Sequence, residues 1–456
     1  MRKYFALLIV LVFTLSLLTS CELFVPGPSE RLTGSLPSLP AGTKDPAPTQ
    51  TADPTADEYG FTIFPEGNYL ADPKFDTDEF LPDYDADPSF IQILSTSSAA
   101  LCSTEDTIYT CVEDASGAYI MYTDKTTGIT LPLCGKPECL HNGNTCNAYV
   151  ANNADGLSVY GGMLYWLEGR SRIMRMNLDG TDRQIVVSSA GGAYGSSTIN
   201  PTFVFHRGYA YFARVQNIVK DGKAINAAVV NAQPIDGGEY FTILDRPVYS
   251  LGLECLIKPV GNDLYIMLYS FDYEDEENLD GVFDHIELYR WDSMTRQAEF
   301  ITSITTSPDG LRVYNRSFHP VPEDGIYLQG RYWIKTEDGI SEKNGVVKYC
   351  FSSGGLEEVL WPVGEWNRSF SYPYYVKDYI IVMSAVEVSP GNYERTPYMY
   401  DYDGNLVFSK FIGEHGFSVF MGADDTFTYS YCIHSIAEPG HYIAIPLDGG
   451  EIIVIK

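Results

Sequence analysis

Short runs of apolar and aromatic residues, separated by polar turns, recur along most of this chain, and no segment shows a sustained helical period of 3.6 residues. One arrangement recurs seven times: a β-rich run with apolar or aromatic residues, a polar turn that usually carries Gly, and a second β-rich run. Another strand pair precedes each of these seven pairs, so each unit contains four predicted strands. The seven trailing pairs begin at Ala118, Arg172, Ala227, Ile286, Gly345, Pro397 and Tyr442.

The spacing of these units predicts the architecture. Their turns recur about every 45 to 60 residues, which is the period of a four-stranded propeller blade with loops of variable length. Each blade buries its faces against its neighbours, so a chain of 456 residues needs no division into separate cores. The sequence therefore predicts an all-β fold over residues 90–456, a β-propeller of seven four-stranded blades. Six or eight blades are the nearest alternatives.

The N-terminus has the pattern of an export signal. Arg2 and Lys3 precede an apolar stretch over residues 4–18, and the sequence Leu-Thr-Ser stands directly before Cys21. This segment resembles the bacterial lipobox, which implies that residues 1–20 are removed and that Cys21 is lipidated. The resemblance implies an extracytoplasmic protein anchored to the bacterial cell membrane. A plain signal peptide with an incidental Cys, or an uncleaved anchor, is the alternative.

Two segments separate this signal from the repeats. Residues 21–58 are rich in Pro, Ser and Thr with few large apolar side chains, so we expect a disordered tether. A flexible coil of this length spans on the order of 35 to 45 Å. Residues 59–89 mix aromatic and acidic residues without a period, which predicts an irregular lead-in that packs on the propeller.

The charge balance excludes one class of partner. The chain has 60 acidic and 30 basic side chains and a formal net charge of −30. Such a polyanion repels nucleic acid phosphates and anionic lipid headgroups. We therefore expect no nucleic acid partner. The expected partners are the membrane, through the lipid anchor, and an unknown extracellular glycan, peptide or protein.

The predicted connections between strands are longer on one side of the propeller. If the strands of a blade are labelled A to D, their alternating direction places the B–C and D–A connections on one rim. Long polar insertions are predicted as loops there, at residues 216–226, 271–285 and 331–345, together with the Cys-rich segment after Cys134. Binding residues often lie on loops that a rigid scaffold positions, so this rim is the predicted functional face. Lengthened loops without a function are the alternative.

One repeat carries a family resemblance. The segment GGMLYWLEGRSRIMRMNLDGTDRQIVV from Gly161 resembles the repeats of YWTD-type and TolB-like propellers. The segment LCGKPECLHNGNTCNAY from Leu133 resembles one in uncharacterised propeller lipoproteins of anaerobic Gram-positive bacteria. The resemblance implies the fold and the cell surface, and it implies no activity. Six units are commoner than seven in the first two families.

A cluster of metal-binding residue types lies early in the repeats. Cys134, Cys139, His141 and Cys146 place three thiols and an imidazole within thirteen positions. Together they would make a tetrahedral zinc set, and the i, i+2 spacing of Cys139 and His141 puts both on one side of an extended chain. In an exported protein a disulfide staple is the alternative, with one thiol left over, or all the thiols stay unpaired. In each case the expected role is structural.

An acidic stretch in the fourth unit matches a calcium loop of the EF-hand type, in which alternating oxygen ligands wrap the ion. It resembles the calcium loops in propeller blades of integrin α-subunits. A solvated acidic hairpin is the alternative. The residues at loop positions 1, 3, 5, 6, 9 and 12 are Glu276, Asn278, Asp280, Gly281, Asp284 and Glu287.

The other cysteines and the histidines carry weaker signals. Cys102 and Cys111 flank the first A–B turn at a separation that would place them opposite one another, which allows a cross-strand disulfide. Cys255, Cys350 and Cys432 lie in apolar strand contexts and are expected to be buried as small hydrophobic residues. Each remaining histidine stands alone, without metal-site spacing, and is expected to be structural.

The sequence lacks the short motifs of common enzymes. It contains no Gly-x-Ser-x-Gly, no phosphate-binding loop and no His-Glu-x-x-His. Carboxylates are too abundant to single out a catalytic pair. We therefore expect a membrane-anchored recognition module, with structural zinc, calcium or both, and no catalytic residues are assigned. The alternative is an extracellular polysaccharide hydrolase or lyase with its site at the mouth of the central channel.

Overall fold

The computed structural model describes residues 79, 81 and 85 and then, with short gaps, residues 101–455. Strands are the regular secondary structure of these residues. Within the described ranges, no helix has the length and hydropathy needed to span a bilayer. The predicted signal segment, the tether, most of the lead-in and residues 90–100 lie outside the described residues.

The strands form seven antiparallel sheets, each built from consecutive strands of the chain. Each sheet is one blade, so the predicted all-β propeller of seven four-stranded blades is confirmed. Blade 1 also has a fifth short strand, β5, which pairs with β3. Blades 1 to 3 contain β1 (Leu101–Ser103), β2 (Thr107–Asp114), β3 (Gly117–Asp124), β4 (Thr130–Pro132), β5 (Tyr149–Val150), β6 (Ala154–Tyr160), β7 (Met163–Glu168), β8 (Arg172–Asn177), β9 (Gln184–Val187), β10 (Phe203–His206), β11 (Tyr209–Lys220), β12 (Lys223–Pro234) and β13 (Phe241–Val248).

Blades 4 to 7 follow the same order, with every strand paired to the next one in the chain. No strand is exchanged between blades in the described part of the chain. These blades contain β14 (Gly252–Val260), β15 (Asp263–Asp275), β16 (Asn278–Asp292), β17 (Gln297–Thr306), β18 (Leu311–Val321), β19 (Gly325–Thr336), β20 (Gly339–Cys350), β21 (Gly355–Leu360), β22 (Tyr374–Val376), β23 (Tyr379–Ser389), β24 (Asn392–Tyr400), β25 (Leu406–Ser409), β26 (Phe417–Ala423), β27 (Phe427–Ile433), β28 (His441–Pro446) and β29 (Ile453–Ile455).

The first strand of each blade, strand A, lies at the centre of the ring. Contacts join the A strands of neighbouring blades, including β10 to β14, β14 to β18, and β18 to β22. Because strand direction alternates, the A–B and C–D turns lie together at one rim, which we call the turn rim. The B–C and D–A connections lie at the opposite rim, which we call the hairpin rim.

The B and C strands are unusually long in blades 3 to 5. Strands β15 and β16 have 13 and 15 residues, whereas β7 and β8 of blade 2 have 6 each. The predicted loops at residues 216–226, 271–285 and 331–345 are therefore wrong, because these segments continue the strands. As a hairpin leaves the blade, pairing between its two strands still satisfies the backbone N–H and C=O groups. The last ladder pairs are Lys220 with Lys223, Asp275 with Asn278, and Thr336 with Gly339.

Apolar side chains fill all seven interfaces between neighbouring blades. Between blades 1 and 2, for example, Trp166 and Leu164 pack with Ile120, and all three side chains are fully buried. Blade 7 meets blade 1 through Tyr429 and Ile108. In the described part of the chain, side-chain packing closes the ring, and no strand there is shared between the first and last blades.

A buried ion pair holds part of the lead-in against blade 3. The Arg207 side chain is 2% exposed and that of Asp85 is fully buried. Arg207 donates to the two carboxylate oxygens of Asp85 at 2.6 and 2.7 Å, and to the carbonyl of Glu79 at 3.0 Å. The Leu81 N–H also donates to Asp85. Three described residues of the lead-in thus lie against blade 3.

Candidate metal centre

The Cys-rich segment is an excursion from the outer edge of blade 1. After β4 ends at Pro132, the Leu133 N–H still donates to the Ile120 carbonyl at 2.8 Å. The chain then leaves the sheet and returns at Ala148, whose carbonyl accepts from the Ile120 N–H at 2.8 Å. Strand β5 continues from there beside β3. Residues 134–147 therefore form a loop inserted into a split outer strand.

This loop brings the four predicted ligands together. One ligand atom from each of Cys134, Cys139, His141 and Cys146 lies within 4.8 Å of the others. The His141 Nδ1 atom is 3.3 Å from the Cys146 Sγ atom. All three cysteines are free thiols, so the alternative disulfide staple is not formed in this structure. The cluster could hold one metal ion.

Two residues in the left-handed backbone conformation shape the loop. Glu138 and His141 have φ angles of 58° and 52°, a conformation that non-glycine residues adopt uncommonly. They bend the chain on each side of Cys139 and Leu140. Leu140 is 81% exposed, whereas Cys139 and His141 are partly buried. The predicted placement of Cys139 and His141 on one side of the chain thus agrees with this geometry.

The loop lies against the C–D turn of blade 2. The Gly180 carbonyl of that turn accepts from the Gly135 N–H at 3.2 Å and from the Asn147 side chain at 2.7 Å. Gly180 has a φ of 79°, and a Cβ atom there would lie 2.7 Å from the Cys134 backbone. Only glycine allows this approach. C–D turns belong to the turn rim, so the expectation that this segment lies on the hairpin rim is wrong: the loop leaves the blade from the middle of its outer edge.

An arginine of blade 2 ties down the C-terminal end of the loop. Arg183 donates to the carbonyls of Asn147 and Tyr149 and forms an ion pair with the buried Glu168. Its guanidinium carbon also lies 5.2 Å from the centroid of the Trp166 ring. Sequence reasoning missed these residues, because nothing in the local pattern distinguishes Arg183 from a solvated turn residue.

The surroundings shift the pKa values of two of the thiols in opposite directions. Burial acts to raise the pKa of Cys134. Hydrogen bonds from the backbone N–H groups of Lys136 and Asn147 outweigh it, with help from the neighbouring thiols, and hold that pKa below its usual value. Burial and its neighbours raise the pKa of Cys146 to about 12. Of these two thiols, Cys134 therefore supplies a thiolate more readily, and a bound cation would favour ionisation of Cys146.

The donor set limits what the centre can do. Three sulfur atoms and one imidazole nitrogen suit a soft or borderline divalent ion in tetrahedral geometry. All four positions are filled by protein, which leaves none for a reacting water or substrate. The arrangement is that of a structural centre.

The predicted calcium loop does not form as a loop. Asn278, Asp280, Asp284 and Glu287 all lie in strand β16, and Glu276 lies outside the described residues. Asp284 and Glu287 are three positions apart, so they point to opposite faces of the sheet. An EF-hand loop must instead curl around its ion.

Asp284 and Glu287 already have partners inside the propeller. Asp284 is fully buried and accepts a hydrogen bond from the Tyr269 hydroxyl at 2.7 Å. The Glu287 carboxylate accepts hydrogen bonds from the Nε and Nη2 atoms of Arg246, each at 2.9 Å. This pair joins blade 4 to blade 3. Both carboxylates therefore support the base of the blade 4 hairpin.

The predicted disulfide between Cys102 and Cys111 is also wrong. Both side chains are buried thiols, and the two are not joined in this structure. Cys102 stands opposite Tyr109, whereas Cys111 lies two residues further along β2 and opposite Ile120 of β3. The two cysteines are therefore diagonal neighbours, about 7 to 8 Å apart between Cα atoms. That separation is too wide for a disulfide.

Other side chains lie where the sequence predicted. Cys255, Cys350 and Cys432 are buried, as expected of small hydrophobic residues. Trp166 and Trp291 are buried between blades. His206 is buried as well.

No protein-family model matches this chain, and no curated protein sequence matches it. Among solved structures, it is similar to polysaccharide lyase Uly1, with a TM-score of 0.48 and 10% identity over 86% of this chain and 97% of that chain. It is similar to an oligogalacturonate lyase in complex with manganese, with a TM-score of 0.45 and 10% identity over 76% of this chain and 96% of that one. The β-propeller domain of the Trilobed protease from Pyrococcus furiosus has a TM-score of 0.45 and 11% identity over 78% of this chain and 95% of that chain. These similarities concern the propeller fold alone.

Proposed function

We propose that this protein is a lipid-anchored, extracytoplasmic recognition module that binds a glycan, peptide or protein at the hairpin rim of its propeller. The observation that carries the proposal is the set of long B–C hairpins in consecutive blades. At about 3.3 Å per residue, a 13-residue strand is about 20 Å longer than a 6-residue strand. Hairpins of this length extend well beyond the blades and give a ligand an extended surface to bind.

Contacts at the base of these hairpins support the proposal. Arg246 of blade 3 holds Glu287 of blade 4 through two hydrogen bonds, and the Tyr289 hydroxyl donates to the same carboxylate at 2.6 Å. Tyr269 and Asp284 add a buried bond within blade 4. A binding surface on a rigid base loses less conformational entropy when the ligand arrives.

The test shortens two hairpins and leaves the blades intact. One variant joins Val215 to Ala228, and another joins Arg331 to Asn344, each through an Asn-Gly turn, because each of these pairs is opposite in its ladder. The matched control replaces Thr126 on the turn rim with alanine. Labelled proteins that lack residues 1–20 are applied to arrays of glycans and peptides.

The wild type and the control should bind the same array members. The shortened variants should lose at least about tenfold in affinity, or about 1.4 kcal/mol. Shortened proteins that melt like the wild type and bind equally well would contradict the proposal. Cleavage of an array polysaccharide would instead support the alternative, a hydrolase or lyase with its site at the channel mouth.

The anchor and the identity of the metal are parts of the same proposal. Arg2, Lys3 and the apolar stretch before Cys21 support lipidation, and Cys21→Ala should abolish incorporation of a labelled fatty acid. Three cysteines and a histidine are a preferred ligand set for structural Zn²⁺, so we assign zinc to the centre at Cys134 to Cys146.

A further inference from the structure

Two basic side chains meet on the inner strands of blades 4 and 5. Lys258 belongs to β14 and His319 to β18, and each stands two residues before its strand ends at the turn rim. The Lys258 Nζ atom lies 2.8 Å from the His319 Nδ1 atom. The two residues are 61 positions apart in the chain, so the propeller fold brings them together.

Aromatic rings of blade 6 surround this pair. The buried His319 ring stacks on the rings of Tyr375 and Tyr402, with centroids 5.6 and 5.8 Å away and planes within 15° of parallel. The Lys258 Nζ atom lies 6.0 Å from the Tyr375 ring centroid. Lys258 itself is partly buried. Its amine is therefore held between an imidazole and an aromatic surface.

Lys258 also differs from other basic side chains of this acidic protein in its distance from the described carboxylates. Arg246, Arg290 and Lys348 each have a carboxylate oxygen within 3.0 Å. For Lys258, the described residues supply no carboxylate within 4.0 Å. No carboxylate of the described residues therefore offsets the cost of burying the charged ammonium form.

The protonation of the pair follows from this environment. Burial lowers the pKa of Lys258 to about 7. Burial, and then the neighbouring Lys258, hold the pKa of His319 well below its usual value. Near neutral pH the histidine is therefore uncharged, and a large fraction of Lys258 is a free amine. A site built only to bind anions would keep its lysine charged, so the surroundings favour a nucleophile over an anion site.

We propose that Lys258 is a nucleophilic amine that captures small aldehydes or ketones as imines, with His319 as its positioning residue. When His319 carries its proton on Nε2, the uncharged Lys258 amine donates a hydrogen bond to His319 Nδ1, and its lone pair points away from the ring. The lone pair attacks the carbonyl carbon and forms a C–N bond, and the oxygen takes up a proton to become a hydroxyl. A second proton transfer releases that oxygen as water and leaves a protonated imine on Lys258. The balance is one carbonyl compound, one amine and one proton giving one iminium and one water.

The test traps the imine in the intact protein. The wild-type chain lacking residues 1–20 is incubated with glycolaldehyde and cyanoborohydride at pH 7, and labelled lysines are located by peptide mass spectrometry. Lowering a lysine pKa from 10.5 to about 7 raises its uncharged fraction about 1,000-fold. With a Brønsted slope of about 0.5, weaker intrinsic nucleophilicity offsets most of that gain and leaves about a 30-fold advantage.

Lys348 is the matched internal control. It also lies beside a tyrosine ring, 5.7 Å from the Tyr327 centroid, but Asp324 pairs with it at 3.0 Å. Lys258 should be labelled at least about tenfold faster than Lys348, with a rate that rises through pH 7. Lys258→Arg should abolish that fast label, and Lys348→Arg should not.

The comparison of the two lysines uses the wild-type protein, so it does not depend on whether a variant folds. Equal labelling of Lys258 and Lys348 would overturn the proposal. His319→Phe keeps an aromatic ring for stacking but removes the nitrogen acceptor, and should slow labelling of Lys258 several-fold. If His319→Phe folds and labels at the wild-type rate, His319 is not a positioning residue.

Discussion

The buried ion pair between Arg207 and Asp85 allows a quantitative test of how the lead-in is held. Asp85→Ala removes a carboxylate that accepts two charge-assisted hydrogen bonds, at 2.6 and 2.7 Å, from a guanidinium that is only 2% exposed. The remaining cation would be buried without its carboxylate. Breaking a buried pair in this way typically costs about 3 to 5 kcal/mol. We expect Asp85→Ala to lower the free energy of unfolding by that amount.

The assay is urea unfolding followed by intrinsic fluorescence, with Asp236→Ala as the matched control. Asp236 pairs with Arg175 at 3.5 Å, but its side chain is 78% exposed. Exposed pairs contribute about 0 to 1 kcal/mol, so this variant should unfold close to the wild type. A double variant, Asp85→Ala with Arg207→Met, should recover much of the lost stability, because no charge is then left buried. If Asp85→Ala destabilises no more than Asp236→Ala, the lead-in is not held by this pair.

Three further outcomes are expected. Native mass spectrometry should find one metal ion per chain, lost in Cys139→Ala and kept in Cys350→Ala, because Cys350 lies outside the cluster. Trp166→Ala should cost about 3 to 5 kcal/mol in urea unfolding, since the ring is fully buried between blades. Burial lowers the pKa of His206 from 6.5 to about 4, so the unfolded chain takes up a proton first as pH falls. Stability should therefore drop by about 3 kcal/mol between pH 6.5 and 4, and His206→Phe should remove that drop in urea titrations at both pH values.

The pattern of apolar residues predicted the blades correctly. It failed where the hairpins leave the blades. Within a blade, both faces of a strand meet a neighbouring blade, so the strand is a short run of buried residues, as from Leu164 to Glu168. Once a hairpin leaves the blade, no neighbouring blade requires an apolar face. The segment at residues 216–226 therefore looks polar and loop-like, although its two halves pair to the end.

The candidate sites divide in a similar way. The four metal ligands lie within thirteen positions, so the sequence shows the cluster directly. Lys258 and His319 are 61 positions apart, on different blades, and each was an ordinary single residue in the sequence. The blade order and the strand register both had to be known before their contact could be seen. The calcium pattern also required the structure. The spacing of Asp284 and Glu287 matches a calcium loop in the sequence, and only the pairing of β15 with β16 shows that both residues lie in a strand.

The metal centre lies at the outer edge of blade 1, whose edge strands are short. Blade 1 has the shortest edges of the described part, with three residues in each of β1 and β4 and two in β5. Among the described residues, this blade meets blade 7 through packed side chains, and the two blades share no strand there. A metal ion held by Cys134 and Cys146 would fix the loop between β4 and β5, and so join the two halves of the split outer strand. The Gly180 turn then connects that loop to blade 2. The ion would thus stabilise the blade whose outer edge is divided between two short strands.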